Sequence, residues 1–313
     1  MLLSAGTINA EEFRLLSSWD NTNPAVRGVA IPFARLVEEA SGGEIKLLMS
    51  GPETIPPFEQ LEPVSSGVFQ LLFTHTAYHT GTTSIGMAID AIDATSQELR
   101  DQGIWDWFDQ YYQAHNLKLI ALPSVKGGYQ LVLREPLTDA GDLAGRKIRG
   151  TPTYFGVFEM LGATPVTLPP AEVYAALERG VADGAAWGAY GILANRWHEV
   201  APNLMRPAIG YSGLPIFMNL DTWKALPPER QALFLEQGER VEELWGTEYA
   251  QMVNKEEQTL INEHNVQITQ LPEDKASQLN AAFADGIWRI IDKQNPEKGQ
   301  ELREFLATKG LMK

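Results

Sequence analysis

The stretch from Gly145 to Asp183, GRKIRGTPTYFGVFEMLGATPVTLPPAEVYAALERGVAD, decides the fold. It reads as strand, helix, strand, helix, with one guanidinium brought to the end of its first strand. In Lys147-Ile148-Arg149 the side chains alternate, so Arg149 points away from the face that buries Ile148. Gly150, Thr151 and Pro152 stop the strand, and a helix is expected from about Thr153 to Leu161. An arginine at the carboxyl end of a strand, beside a helix N-terminus, suits a carboxylate. Its planar fork offers two parallel hydrogen bonds and the helix dipole adds to them. The alternative is an arginine that caps loop carbonyls or pairs with Asp139 or Asp142. After Gly162-Ala163 a short strand from Thr164 to Leu168 is expected. Pro169-Pro170 then opens a helix with Glu172 in its first turn, and Gly180 ends it.

Outward from this stretch the same alternation continues. Phe13 to Ser18 is an apolar run suited to a buried strand, followed by the polar loop Trp19-Asp20-Asn21. Pro24 starts a helix whose apolar residues, from Val26 to Ala40, are spaced three and four apart. Strands are expected at Glu44 to Met49 and Val68 to Phe73, with a short helix between them. Strands alternating with helices indicate a mostly parallel, covered sheet, and such sheets bind ligands beyond the carboxyl ends of their strands. The loops at Trp19, at Glu53 to Glu59 and at His75 to His79 lie at those ends, which makes Trp19, Glu59 and Tyr78 candidate ligand contacts.

From Gln97 to His115 one aromatic-rich helix is expected, packed into a core. Strands follow at Leu117 to Leu122 and Tyr129 to Leu133, with Lys126-Gly127-Gly128 as a flexible turn between them. Beyond Asp183, GAAWGAYG has almost no bulk except Trp187 and Tyr190, which can wall a space; a helix through Trp197 and His198 is expected next. Ser212 to Asn219 reads as one strand returning to the first unit, with Asn219 near a hinge. Pro227-Pro228 opens a helix to about His264, roughly 55 Å long at ~1.5 Å per residue, enough to brace two units. Val266 to Leu271 is one more strand, and Pro272 begins a helix through Ile290-Ile291. The pattern enters a second α/β unit and returns, so two discontinuous lobes are expected. These are residues 1–131 with 219–262, and 132–218 with 263–313.

The 313 residues suffice for two cores. The balance of 25 basic against 40 acidic residues gives −15, which argues against nucleic acid or an anionic membrane as partner. An anionic ligand must then be captured by a local positive feature such as Arg149. With no cysteine a catalytic thiol is excluded. The opening MLLSAGTINAEE has neither a basic n-region nor a signal-length apolar run, and no stretch has the ~18 apolar residues of a membrane span.

His75 and His79, four apart, have the spacing of metal ligands on one helix face, but no third ligand is evident and no metal is expected. Asp90, Asp93 and Glu98 fit an exposed loop or helix start better than a catalytic carboxylate pair. No nucleophile elbow, phosphate loop or dinucleotide glycine pattern is present, so neither enzymatic activity nor a cofactor is expected. Trp19, Tyr78, Tyr129, Tyr154, Phe155, Trp187 and Tyr190 fall at expected loop or strand ends. Together they fit a pocket that sandwiches an apolar or aromatic group while Arg149 fixes a carboxylate.

The pattern KIR, then LGATPV, then AEVYAALERGVADG resembles the solute-binding proteins of tripartite ATP-independent periplasmic (TRAP) transporters, the DctP-like family. The resemblance extends from about Phe13 to Lys293. It implies two α/β lobes joined by crossing strands with a long helix spanning both, and a salt bridge from Arg149 to the carboxylate of an organic acid. It also implies a periplasmic location with the export signal already removed, and membrane permease subunits as partners; with no exposed heptad or apolar edge in the sequence, a monomer is expected. Sialic-acid binders of the family carry a second arginine where this chain has Tyr129, and Q-E-N-P where it has Ala185-Ala186-Trp187-Gly188. Members with a metal-bridged acid carry a glutamate at the Ala186 position. These departures point to a monocarboxylate with an apolar or aromatic body, with Tyr129 available to donate to it beside Arg149. A sensory binding module and, behind it, a two-lobed enzyme acting on an organic acid are the alternatives.

Overall fold

A computed structural model describes residues 10–311, so most of the opening segment read for an export signal lies outside the described residues. Twelve strands follow in chain order among them: β1 (Glu11–Ser17), β2 (Ile45–Ser50), β3 (Leu71–Phe73), β4 (Leu117–Ala121), β5 (Ser124–Leu133), β6 (Lys147–Arg149), β7 (Thr164–Val166), β8 (Gly184–Gly188), β9 (Asn203–Arg206), β10 (Ile209–Gly213), β11 (Ile216–Asn219) and β12 (Gln267–Gln270). They form two sheets, in the orders β2-β1-β3-β11-β4 and β12-β9-β5-β8-β6-β7, with β10 on β5. The result is the expected α/β fold of two lobes, with helices against both sheets. Both sheets are mixed rather than mostly parallel. Strands β1, β2 and β3 run parallel, but β11 is antiparallel to β3 and β4, and β5 is antiparallel to β8, β9 and β10.

The chain changes sheet at two proline corners. Strand β4 leads into β5 through Leu122-Pro123, and β10 leads into β11 through Leu214-Pro215. The corners lie side by side: the Leu214 N–H donates to Pro123 O at 2.9 Å, and the Thr74 N–H to Pro215 O at 3.3 Å. Proline has no N–H to continue a ladder, so each strand leaves its first sheet there. The expected single strand from Ser212 to Asn219 is therefore the end of one strand and the whole of another.

Other local differences have equally plain causes. Lys126-Gly127-Gly128 is not a flexible turn but part of β5, bulged against β10. Gly128 sits so close to Ser212 that a Cβ would fall 2.6 Å from its backbone nitrogen, and Gly127 has φ +64°. The helix begun at Pro24 is wound as a π-turn over Val26–Ala30 before becoming α over Ile31–Ala40. Pro32 removes the next donor from the α ladder, and the Ile31 N–H reaches back to Val26 O. The aromatic helix is two helices, Ser96–Asp101 and Ile104–Gln113, broken at Gly103 with φ +74°. Its Trp105, Phe108, Tyr111 and Tyr112 are core residues, as expected. Around Trp197 and His198 only a single turn, Trp197–Glu199, forms. GAAWG is strand β8, held between β5 and β6. Its small residues answer to crowding, since a Cβ on Gly184 would meet Leu133 at 2.6 Å and Val132 O at 2.7 Å.

Helix Pro228–His264, 37 residues and roughly 55 Å long, binds both lobes. Toward the first sheet Gly238 packs on Ile120, where a Cβ would stand 2.2 Å from the carbonyl oxygen. Glu242 accepts the Leu122 N–H at 2.5 Å and pairs with Arg100 at 2.6 Å. Farther along, Glu256 accepts three loop N–H groups, from Gly191, Ile192 and Leu193, at 2.8, 2.7 and 3.2 Å. Glu257 pairs with Arg206 of β9.

Candidate functional site

Strand β6 delivers Arg149 into the interior as its alternation requires: Lys147 is exposed, and Ile148 and Arg149 are buried. The side chain is 1% exposed. Nε and Nη2 both donate to Leu168 O, at 3.0 and 2.7 Å, and Nη1 donates to Ala186 O at 3.2 Å. A guanidinium has five N–H donors. Those three bonds leave one donor on each Nη nitrogen, with the Tyr78 hydroxyl beside them. No carboxylate of the described residues pairs with Arg149; Asp139 and Asp142 lie elsewhere, Asp142 against Lys275. Burial lowers the Arg149 pKa, with Tyr78 and Tyr154 opposing that shift. The guanidinium also lies over the Trp187 ring, 5.3 Å from its centroid.

Arg149, Trp19, Tyr78, Tyr129, Tyr154, Trp187 and Tyr190 line one narrow cavity. They reach it from the carboxyl ends of β1, β3, β6 and β8 and from the middle of β5. The rings brace one another. Trp19 Nε1 donates to Tyr78 Oη at 3.2 Å, and Tyr129 and Tyr154 meet edge to face at 5.2 Å. Tyr190 packs edge-on against Trp245 and Tyr249 of the long helix. Burial raises the pKa of each of the cavity tyrosines, so their hydroxyls stay protonated near neutrality.

Three expected contacts lie elsewhere. Phe155 follows the turn Pro152–Tyr154 and faces a different surface, against Phe158 at 6.4 Å, because that turn aims only Tyr154 inward. Asn219 caps the helix Leu220–Ala225, accepting from Thr222 N and donating to Val64 O and Ser65 O, which leaves it no group for a ligand. Glu59 is exposed on the turn Pro57–Glu59 and does not reach the cavity.

Asn23, Thr151, Ser212 and Leu214, which no sequence pattern marks as contacts, also face the cavity, and so does His75, whose spacing from His79 suggests only a metal ligand. His75 Nε2 is 2.5 Å from Tyr129 Oη and 3.2 Å from Asp90 Oδ2. Asp90 does lie in the first turn of a helix, Ala88–Ala91, but it is buried there, 1% exposed. Asp93 and Glu98 are exposed as expected, Glu98 in a capping box with Thr95. His79 bonds Thr74 Oγ1 at 2.8 Å, and burial, then the His75 charge, drives its pKa down to about 3. Among the described residues no group of three or more His, Asp or Glu is placed to hold a metal, and no helix is long and apolar enough to cross a membrane.

The family model DctP, bacterial extracellular solute-binding protein, family 7, matches residues 16–294. A solute-binding protein of Sulfitobacter sp. NAS-14.1 is 32% identical over 133 residues, 42% of this chain and 40% of that one. The monocarboxylate 2-oxoacid-binding periplasmic protein of Nostoc sp. PCC 7120 is 26% identical over 245 residues, 74% of this chain and 66% of that one. The chain thus spans from about two fifths to two thirds of these curated relatives. A TRAP periplasmic solute-binding protein from Desulfovibrio salexigens, solved with bound orotic acid, superposes with a TM-score of 0.84 at 20% identity, covering 95% of this chain and 97% of that one. With the family motifs of β6 to β8 in place around a buried arginine, the chain belongs to the DctP family of bacterial extracellular solute-binding proteins.

Proposed function

We propose that this protein is the solute-binding component of a TRAP uptake system, working outside the cytoplasmic membrane. It captures a small monocarboxylate with an apolar or aromatic body and delivers it to membrane permease subunits. The observation that carries this reading is Arg149: a buried cation with no carboxylate partner among the described residues and two N–H donors left beside an aromatic cavity. A ligand carboxylate supplies the missing charge, and Trp19, Tyr78, Tyr129, Tyr154, Trp187 and Tyr190 enclose its body. The monocarboxylate bound by the Nostoc relative and the orotic acid in the Desulfovibrio structure agree with a small organic acid.

The lobes divide where the chain changes sheet, at Pro123 and Pro215 rather than at residues 131 and 219 as the alternating pattern divides them, and they turn about those corners. They open to admit the acid and close over it. Closure removes water from the Arg149 pair and so strengthens it. The test is a thermal-shift screen of the protein, before and after refolding, against aromatic, keto, hydroxy and C4-dicarboxylic acids. At a hundred times Kd a ligand adds about 2.7 kcal/mol to stability. One acid class is expected to shift the melting curve, and Arg149→Ala to abolish the shift. An equal shift in the variant would remove Arg149 from the site.

A further inference from the structure

The cavity wall at the end of strand β8 is gripped from outside the cavity. Trp187, Gly188 and Tyr190 belong to that wall. Just past Tyr190, three successive N–H groups point to one carboxylate of the long helix. Glu256 Oε2 accepts from Gly191 at 2.8 Å, and Oε1 accepts from Ile192 and Leu193 at 2.7 and 3.2 Å. Just before Tyr190, the hold runs through side chains and starts at the next residue of the same helix. Glu257 Oε2 accepts from Arg206 Nε at 2.9 Å, and Arg206 Nη1 donates to Gln130 Oε1 at 3.1 Å. Gln130, fully buried, then donates from Nε2 to Gly188 O at 3.2 Å.

Two adjacent carboxylates thus bracket the segment Gly188–Gly191. The helix also carries the rings that back Tyr190, with Trp245 and Tyr249 edge-on at 5.3 and 5.7 Å. Trp245, Tyr249 and Glu256 are four and seven residues apart, so one helix face holds both the tyrosine ring and the turn behind it. The grip extends to Trp187. Gly191, bonded to Glu256, has φ +92° and lies so close that a Cβ there would stand 3.2 Å from Trp187 Nε1. The Trp187 ring in turn lies against the Arg149 guanidinium. Neither Glu256 nor Glu257 lines the cavity; both are half-buried beneath it.

We propose that Glu256 and Glu257 are positioning residues of the binding site: they clamp the Trp187–Tyr190 wall at both ends, and ligand affinity depends on them although neither touches the ligand. This rests on the reading of the cavity as the ligand site. A wall fixed before the ligand arrives loses little freedom on binding, whereas a loosened wall must be ordered at the expense of affinity. Glu256→Gln turns one of the two oxygens into an amide NH2, which cannot accept, so at least one of the three N–H groups loses its partner. Glu257→Ala frees Arg206 from the orientation in which it meets Gln130.

The experiment reads the wall and the affinity separately. The eight tryptophans are replaced by fluorotryptophan, and the Trp187, Trp105 and Trp288 fluorine resonances are assigned by single Trp→Phe changes. In Glu256→Gln and in Glu257→Ala the Trp187 resonance is expected to shift or broaden, while those of Trp105 and Trp288 stay in place. Calorimetry well below the melting midpoint then compares orotate, pyruvate, mandelate and phenylacetate. Whichever of these the unsubstituted protein binds, each variant is expected to bind about threefold to thirtyfold more weakly. A role confined to stability would lower the melting midpoint and leave the folded molecule's spectrum and affinity alone. An unmoved Trp187 resonance therefore overturns the inference, and so does a moved one with unchanged affinity. If Glu256→Gln does not fold, Glu257→Ala decides. If none of the four acids binds the unsubstituted protein, the carboxylate reading falls by itself, and the fluorine spectrum alone decides whether the clamp holds the wall.

Discussion

A lysine at position 149 would keep the charge and lose the fork. Arg149 spends three donors on the carbonyls of Leu168 and Ala186 and holds the last two toward the cavity, which a single ammonium cannot reproduce. Arg149→Lys is expected to weaken acid binding about tenfold to a hundredfold, read by calorimetry. His79 makes a different kind of claim. The unfolded chain takes up its proton near pH 6.5, but the folded chain not until about pH 3. Between those values the unfolded form binds more protons, so stability falls as pH drops through that window. The loss from this one group is on the order of 3 kcal/mol by pH 4. Urea unfolding at pH 7 and pH 4 should show a smaller difference for His79→Gln than for the unsubstituted protein. Equal differences would mean that His79 titrates freely in the fold.

Among the elements, the long helix is held by contacts that tolerate little change. Gly238→Ala would set a methyl 2.2 Å from the Ile120 carbonyl oxygen, and lifting the helix off β4 is expected to cost about 1–3 kcal/mol. Arg100→Ala leaves Glu242 buried without its cation, at a cost of about 3–5 kcal/mol. Both are read as lower denaturant midpoints at unchanged slope. The elements also differ in how far the sequence reveals them. Strand β6 and its arginine are legible because alternation and the Gly-Thr-Pro stop act locally. Strand β8 is hidden by Gly and Ala, chosen for crowding by β5 and β6 that no local pattern records. Asp90 and His75 are hidden because residues from Thr76 to Ala91 form four short helical pieces, too brief for any periodicity. The sheet change inside SGLPIFMN could be suspected from Pro215, yet only the neighbouring corner at Pro123 shows that two strands cross between the sheets there.

For the whole molecule, a net charge of −15 repels the acid that the site is proposed to take. Salt screens that long-range repulsion and leaves a buried contact largely unscreened. The association rate, followed through the fluorescence of Trp19 and Trp187 in the cavity, is therefore expected to rise with ionic strength. A fall would show that a local positive field, not the net charge, governs encounter. Closure should also appear as a smaller radius of gyration in solution scattering when the acid is added.

The helix that joins the lobes fixes a phase as well as a span. Gly238 and Glu256 are eighteen residues apart, about five full turns, so the groove on β4 and the collar of three N–H groups at Gly191 to Leu193 are read by one face. One residue inserted between them would swing Glu256 about 100° around the axis while leaving the core of each lobe its own residues. Such a chain would have two sound halves out of step, like gears meshed one tooth late. The segment between those two residues can therefore change length without loss of register only by whole turns.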